Sequence, residues 1–216
     1  MRFGNRKFCG EDLLLYAVTD RRWLHGAALC EQVEQALLGG VTMVQLREKE
    51  MSGRQLFKEA EKLRALCAHY QVPFIVNDNV PVAKKVDADG VHLGQNDMDV
   101  PAARRLLGED KIIGVSARTV EQAVLAWKQG ADYLGTGAVF ATGTKPDAQA
   151  LSLECLTKVC KAVPIPVAAI GGITADNVAR LSGSGICGVA VVSAIFAQPD
   201  ITQAAVRLRE KVKKVL

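Results

Sequence analysis

Eight short apolar runs recur along this chain of 216 residues, and segments with helical spacing of apolar residues separate them. Short apolar runs bounded by turn-forming residues are typical of buried strands, and strands that alternate with helices form parallel βαβ units. Eight such units close a (β/α)8 (TIM) barrel, which is the fold that the sequence predicts. The predicted strands are residues 13–19, 41–45, 73–77, 90–93, 111–116, 132–135, 167–170 and 188–193.

Helical spacing follows each predicted strand, so every strand has a helix that can connect it to the next one. Ser52 and Thr119 each precede a Gln by three residues and predict capping boxes, whereas Ser152 is expected to cap its helix without one. Polar residues at the strand ends should then share one face of the barrel, where such barrels carry their chemistry. The predicted helices are residues 27–38, 53–70, 80–86, 101–107, 120–129, 153–162, 175–181 and 202–215.

Composition excludes several classes of function. Hydrophobic residues make up 49% of the chain and no linker divides it, so we expect one catalytic barrel domain over 13–216, preceded by an N-terminal extension over 1–12. The net charge of +4 is dispersed without a basic stripe, which argues against nucleic acid as a partner. No apolar segment is long enough to span a membrane, and the basic start lacks a signal-peptide cleavage site, so we expect a cytoplasmic protein.

Two acidic loops follow neighbouring predicted strands. Asn77-Asp78-Asn79 comes directly after the third strand, and Gln95-Asn96-Asp97 comes after the fourth. Adjacent carboxylates suit Mg²⁺, which takes oxygen ligands and keeps waters and phosphate oxygens in its shell. Either loop alone is also explained by the preference of Asn and Asp for turns and caps. Together they predict a magnesium site on Asp78 and Asp97.

Two further segments predict anion binding on the same face. Residues 135–146 form a loop rich in Gly and Thr that ends in Lys145, and backbone N–H groups, hydroxyls and an ammonium suit a phosphate. Gly172 and Ser193 follow the seventh and eighth strands, where such barrels commonly bind phosphate. Alternation in the second strand points Gln45 and Arg47 the same way, into the barrel mouth. The alternative for these segments is a solvated surface loop or a tight turn.

Nucleophilic catalysis has no support in the sequence. The three histidines, His25, His69 and His92, are dispersed, and His92 lies inside a predicted strand, where a packed residue is expected. No Ser-His-Asp arrangement or Cys-x-x-Cys metal motif occurs. The pattern of two anion sites and a metal site instead suggests a diphosphate substrate, a second substrate with one phosphate, and a reaction driven by stabilisation of a leaving group.

The ordered motifs of this chain resemble the thiamine-phosphate synthase family over nearly everything after residue 13. The matching segments are Leu-Tyr-Ala-Val-Thr-Asp at 15–20, Val-Gln-Leu-Arg-Glu-Lys at 44–49, Asn77-Asp78, His-Leu-Gly-Gln-Asn-Asp at 92–97, Gly-Val-Ser-Ala at 114–117, Thr-Gly-Thr-Lys at 142–145, Ile-Gly-Gly-Ile-Thr at 170–174, and Ser193.

The resemblance implies a transferase of thiamine biosynthesis that joins 4-amino-5-hydroxymethyl-2-methylpyrimidine diphosphate to a thiazole phosphate. Diphosphate departs first, and the thiazole nitrogen captures the resulting cation. The implied ligands of the pyrimidine diphosphate are Gln45, Leu46, Arg47, Glu48, Lys49, Asn77, Ser116 and Lys145, of which Arg47, Ser116 and Lys145 are catalytic. The implied ligands of the thiazole phosphate are Thr142, Gly143, Thr144, Gly172, Val192 and Ser193, and Mg²⁺ is implied on Asp78 and Asp97. A homo-oligomer is compatible with the family.

Two alternatives stay open at this stage. A thiazole tautomerase would share the barrel and the thiazole-phosphate site, but we expect it to lack the Asn-Asp pair and to carry His where this chain has Ala138. A non-catalytic sensor of a phosphorylated metabolite would keep Gly172 and Ser193 without using the two aspartates. The chain departs from the family pattern at Ala141, where many relatives have Pro, and at Arg118, where His is common.

Overall fold

A computed structural model of the protein describes residues 8–24, 26–48, 50–143 and 150–216. Eight parallel strands pair in sequence order, and the first pairs with the eighth to close the barrel, so the predicted (β/α)8 fold is confirmed. The strands are β1 Leu15–Val18, β2 Met43–Leu46, β3 Phe74–Asn77, β4 Gly90–Leu93, β5 Ile112–Ser116, β6 Tyr133–Gly137, β7 Val167–Ile170 and β8 Gly188–Val191.

Alternation along each strand divides the core into two layers. In β1, Tyr16 and Val18 belong to the apolar cluster inside the barrel, whereas Leu15 and Ala17 belong to the larger cluster between the strands and the helices. Both faces of the strands are therefore buried, which explains why parallel strands of this kind read as continuous apolar runs.

The helices connect successive strands around the outside of the barrel. In the described part of the chain they are α1 Leu29–Leu38, α2 Gly53–His69, α3 Val80–Lys85, α4 Val100–Leu107, α5 Val120–Lys128, α6 Leu153–Ala162, α7 Ser193–Phe196 and α8 Ile201–Lys213. Short 3-10 helices cover Gly10–Leu13, Arg21–Trp23 and Val178–Leu181. None of the helices in the described ranges has the length and apolar character that a membrane span requires.

The predicted caps hold with one difference. Ser52 and Gln55 form the reciprocal capping box at the start of α2. Thr119 accepts from the Gln122 backbone N–H, but Gln122 Oε1 accepts from the N–H of Arg118, one residue before the cap. The predicted box at Thr119 is thus only half formed, because the amide reaches past the capping residue to the preceding N–H group.

The segment between β7 and β8 corrects the predicted helix over 175–181. It contains only the 3-10 helix Val178–Leu181. The Asn177 side chain donates to the Gly172 carbonyl at 2.8 Å and accepts from the Thr174 N–H at 2.9 Å. Such side-chain bonds to the backbone compete with a regular helix start. The first and last predicted strands also shorten, since Leu13 ends a 3-10 helix and Ser193 begins α7.

Candidate active site

A cavity opens at the end of the barrel where the strands finish. Its lining includes eight of the residues predicted for substrate binding: Gln45, Arg47, Asn77, Ser116, Thr142, Gly172, Val192 and Ser193. They come from the ends of six strands and the segments after them, so the barrel brings residues from positions 45 to 193 to one mouth. Arg118 and His92 also line it, although neither was predicted as a ligand. Lys49, Thr144 and Lys145 lie outside the described residues.

Arg47 supplies positive charge at the rim. Its backbone N–H donates to the Thr19 hydroxyl at 3.0 Å, which fixes the chain as it leaves β2. Its Nη2 is buried and has no hydrogen-bond partner in the part of the chain that the structure describes. A buried guanidinium nitrogen without a partner is costly unless a ligand satisfies it. The group is therefore suited to receive an anion in the cavity.

Asp20 lies within electrostatic reach of Arg47 but is already paired. Arg22 Nη2 donates to Asp20 Oδ2 at 2.6 Å. Burial by itself would raise the pKa of Asp20, but the hydrogen bonds and charge of Arg22, with the charge of Arg47, outweigh it and lower that pKa. Asp20 is thus an ionised neighbour that helps to hold the Arg47 charge at the rim.

Two predicted ligands of the pyrimidine diphosphate turn away from the cavity. Leu46 is fully buried in the layer between strands and helices. The Glu48 carboxylate pairs with Arg21 Nε at 2.9 Å and is 5% exposed. Burial raises the pKa of Glu48, and the charge of Arg21 offsets part of that increase. Neither side chain lines the cavity, so among the described residues of this stretch the side-chain contacts come from Gln45 and Arg47.

Hydrogen bonds between buried side chains cross the cavity floor. Gln45 Nε2 donates to the Tyr16 hydroxyl at 2.5 Å, and that hydroxyl lies 2.8 Å from the hydroxyl of Tyr133. His92 Nδ1 lies 3.0 Å from the Tyr133 hydroxyl, and His92 Nε2 lies 2.9 Å from Ser116 Oγ. Burial raises the pKa values of Tyr16 and Tyr133 well above the ordinary tyrosine value, so both stay protonated at neutral pH.

Sequence reasoning missed most of this floor. His92 is packed and 8% exposed, as predicted, yet it also faces the cavity and contacts Ser116. The tyrosines looked like ordinary core residues because each lies in an apolar run. The sequence did contain one signal, which is a glycine inside the predicted strand 111–116. A Cβ at Gly114 would lie 2.0 Å from the Tyr133 ring, so this strand position needs glycine to make room for the phenol.

The two acidic loops are neighbours, as predicted. The Asp78 N–H donates to the His92 carbonyl at 2.9 Å, and Asp97 Oδ2 accepts from the Gly94 N–H, two residues further along, at 2.6 Å. Asp78 has φ +61°, an uncommon conformation for a residue with a side chain, directly after a strand. Backbone strain of this kind clusters at functional sites.

Asp78 and Asp97 stay the predicted magnesium ligands, although neither residue is among those that line the cavity. Among the residues described, no three His, Cys, Asp or Glu side chains converge on one point. The protein would therefore supply Asp78 and Asp97, while waters and diphosphate oxygens would complete the shell, which is how Mg²⁺ is usually held beside phosphates.

The opposite side of the mouth is built by the segments after β6, β7 and β8. Gly171 and Gly172 both have positive φ, and the Phe140 N–H donates to the Gly171 carbonyl at 3.0 Å. A Cβ at Gly172 would lie 2.3 Å from the Ala141 carbonyl oxygen, so glycine permits the two segments to touch. Thr142, which follows Ala141 directly, and Gly172 both line the cavity. Gly143 does not line it.

Comparisons with known proteins agree with this architecture. The family model described as thiamine monophosphate synthase matches residues 15–195. A thiamine-phosphate synthase of Ruminiclostridium cellulolyticum is 49% identical, with 92% of this chain and 95% of that protein covered. One of Clostridium acetobutylicum is 47% identical, with 94% and 96% covered. The solved thiamine phosphate pyrophosphorylase of Pyrococcus furiosus is 42% identical with a TM-score of 0.88, covering 96% of this chain and 98% of that one. This chain belongs to the thiamine monophosphate synthase family.

Proposed function

We propose that this protein is a thiamine-phosphate synthase, a transferase that joins 4-amino-5-hydroxymethyl-2-methylpyrimidine diphosphate to a thiazole phosphate and releases diphosphate. The observation that carries the proposal is a single cavity lined by residues of both predicted ligand sets, within a chain of this family. Gln45, Arg47 and Ser116 belong to the set for the pyrimidine diphosphate, and Thr142, Gly172 and Ser193 belong to the set for the thiazole phosphate. A cavity of this kind can hold two phosphorylated substrates against each other.

The proposed reaction is a dissociative substitution. The bond from the pyrimidine methylene carbon to the diphosphate oxygen breaks, and the diphosphate keeps the electron pair. The thiazole nitrogen then donates its lone pair to the methylene carbon and completes the new C–N bond. No proton has to be removed for this step, which agrees with a floor whose two tyrosines stay protonated.

Electrostatic stabilisation of the leaving group would be the main catalytic term. Arg47, with its unsatisfied Nη2, would bind the departing diphosphate, and we assign the same task to Lys145. Mg²⁺ held by Asp78 and Asp97 would neutralise further negative charge on the diphosphate. Gln45 and Ser116 would hold the pyrimidine ring on the floor, and Gly172, Val192 and Ser193 would bind the thiazole phosphate.

The two alternatives have less support. A tautomerase needs a proton-transfer group after β6, but Ala138 occupies that part of the cavity wall. A sensor of a phosphorylated metabolite would have no use for Asp78, Asp97 and Lys145 together. We also propose that the protein works in the cytoplasm, as the sequence led us to expect, and that it can form homo-oligomers, with which the resemblance is compatible.

Turnover of the two substrates tests the function. The purified protein is mixed with both substrates and Mg²⁺, and diphosphate and thiamine phosphate are measured; omission of either substrate or chelation of Mg²⁺ should abolish both products. A folded sample that makes neither product would refute the proposal.

A matched pair of variants tests the metal site. Asp78→Ala should weaken Mg²⁺-dependent binding of the pyrimidine diphosphate and leave thiazole-phosphate binding intact. Asp87→Ala is the control, because Asp87 is another aspartate with positive φ, φ +54°, and it precedes β4 at the opposite end of the barrel. Equal loss of binding for both substrates in Asp78→Ala would contradict the metal assignment.

A further inference from the structure

The hydrogen-bonded chain of the cavity floor joins two residues that we assign to the pyrimidine. It runs from Gln45 through Tyr16, Tyr133 and His92 to Ser116, and every link is 3.0 Å or shorter. Tyr16 is 1% exposed and Tyr133 is fully buried. Buried hydroxyl groups need partners within the protein, and here each tyrosine has its neighbours in the chain.

Each hydroxyl carries one proton, and this fixes the direction of the whole chain. The Tyr16 oxygen accepts a hydrogen bond from the Gln45 amide, so Tyr16 donates its own proton to the Tyr133 hydroxyl. Tyr133 then donates to His92 Nδ1, and a neutral His92 keeps its own proton on Nε2 and donates it to Ser116. With the Gln45 amide as the donor, the reverse direction would leave the Tyr16 proton facing the apolar cluster inside the barrel.

The direction determines what the two ends present to a ligand. Gln45 uses its amide N–H on Tyr16, so its Oε1 is the atom left to accept a hydrogen bond in the cavity. Ser116 accepts from His92, so its own proton is left to be donated. The floor therefore offers an acceptor at one end and a donor at the other. An aminopyrimidine supplies the complement of both, since its amino group donates and its ring nitrogens accept.

We propose that Tyr16 and Tyr133 are positioning residues that fix this polarity and thereby select an aminopyrimidine over an oxopyrimidine. The proposal rests on the proposed function and adds the source of its ring specificity. An oxo group would bring an acceptor against the Gln45 acceptor and leave both without a partner. Sites built to hydrogen-bond a polar group reject analogues that cannot make the bond more strongly than apolar pockets do.

Removal of one phenolic hydroxyl tests the proposal. In Tyr16→Phe the Gln45 amide loses its fixed partner and can turn over. We expect the ratio of kcat/KM for the amino substrate over its 4-oxo analogue to fall by about tenfold or more. The KM for the pyrimidine diphosphate should rise, while the KM for the thiazole phosphate should not change. A purely structural defect would raise both KM values together or change neither of them.

Tyr70→Phe is the matched control. The Tyr70 hydroxyl donates to Glu34 Oε1 at 3.0 Å, away from the cavity, so the same chemical deletion should leave the ratio unchanged. Tyr133→Phe cuts the chain on the other side of Tyr16. If the chain acts as one unit, the double variant should lose little more selectivity than the more affected single variant.

The outcomes separate this inference from the proposed function. A wild-type protein without turnover would refute the function itself. If the wild type is active and Tyr16→Phe has the same selectivity as Tyr70→Phe, the inference is overturned and the proposed function stands. A measurement on the unmodified protein covers the case in which the tyrosine variants do not fold. In ¹⁵N-histidine spectra, with the signals assigned through His92→Gln, His92 should carry its proton on Nε2, and a proton on Nδ1 would also overturn the inference.

Discussion

Substitution of Gly172 by alanine would test whether close contact between two loops sets the anion side of the cavity. Gly172 has φ +65°, and a left-handed conformation costs a residue with a side chain about 1–2 kcal/mol. The added Cβ would lie 2.3 Å from the Ala141 carbonyl oxygen, whereas such contacts essentially never fall below 3.0 Å. The two segments must therefore separate by about 0.7 Å, the difference between these distances.

A matched control isolates the strain from the displacement. Gly183 has φ +74° with open space around its Cβ position, and it lies before β8, at the end of the barrel away from the cavity. Gly183→Ala should therefore lose about 1–2 kcal/mol of unfolding free energy through backbone strain alone. It should keep the kinetics of the wild type.

The kinetic effect of Gly172→Ala follows from the size of the displacement. A misplacement of about 1 Å can cost about 100-fold in rate, so a shift slightly smaller than this predicts a loss of roughly 10- to 100-fold in kcat/KM for the thiazole phosphate. Steady-state kinetics with each substrate varied in turn measure the loss in kcat/KM. Urea unfolding measures the loss of unfolding free energy. Equal kinetic losses in Gly172→Ala and Gly183→Ala would refute the claim that the loop contact positions the anion site.

Three further predictions concern the rim and the far end of the barrel. Arg47→Gln removes the guanidinium with the unsatisfied nitrogen, so kcat/KM for the pyrimidine diphosphate should fall roughly 100-fold or more without a lower Tm, as steady-state kinetics and thermal unfolding would show. Arg104→Leu leaves the partly buried Asp132 carboxylate without its 2.8 Å partner and should lower the unfolding free energy by about 1–3 kcal/mol in urea, with kcat of the folded protein kept. Burial raises the pKa of Glu48, so its destabilising charge is absent below about pH 4 and grows as the pH rises through the raised pKa. The unfolding free energy of the wild type, relative to that of Glu48→Gln, should thus be lower at about pH 7 than near pH 4. Urea unfolding at both pH values measures this difference, and the opposite order would contradict the burial argument.

Local patterns were sufficient for the barrel and for the direction in which Gln45 and Arg47 point. Strands buried on both faces produce apolar runs that are visible without any tertiary information. Alternation in β2 was enough to place Gln45 and Arg47 on one side and Leu46 on the other, and the structure has this arrangement. A contiguous motif such as 44–49 cannot by itself show which of its members face a ligand, because neighbouring strand residues point in opposite directions.

The floor could not be predicted in the same way. The hydrogen bond between Tyr16 and Tyr133 joins residues 117 positions apart, and each tyrosine is surrounded in sequence by apolar residues that suggest ordinary packing. The pairing exists only after the barrel closes and brings β1 and β6 across its interior. The missing regular helix before β8 has a similar origin, since the Asn177 side chain binds the backbone of a loop whose shape depends on contact with Ala141.

The separation between a charged rim and a neutral floor follows from burial. A phenol deep in the barrel keeps its proton because burial raises its pKa, so the floor can orient a ring without placing negative charge beside it. Arg47 sits one step further out, where Asp20 balances it but is itself held by Arg22. A departing diphosphate would therefore meet a cation whose neighbouring carboxylate, Asp20, is already engaged by Arg22. Replacement of Arg22 by Met should release Asp20 to pair with Arg47 and raise the KM for the pyrimidine diphosphate several-fold. An unchanged KM in that variant would show that Asp20 does not compete for Arg47.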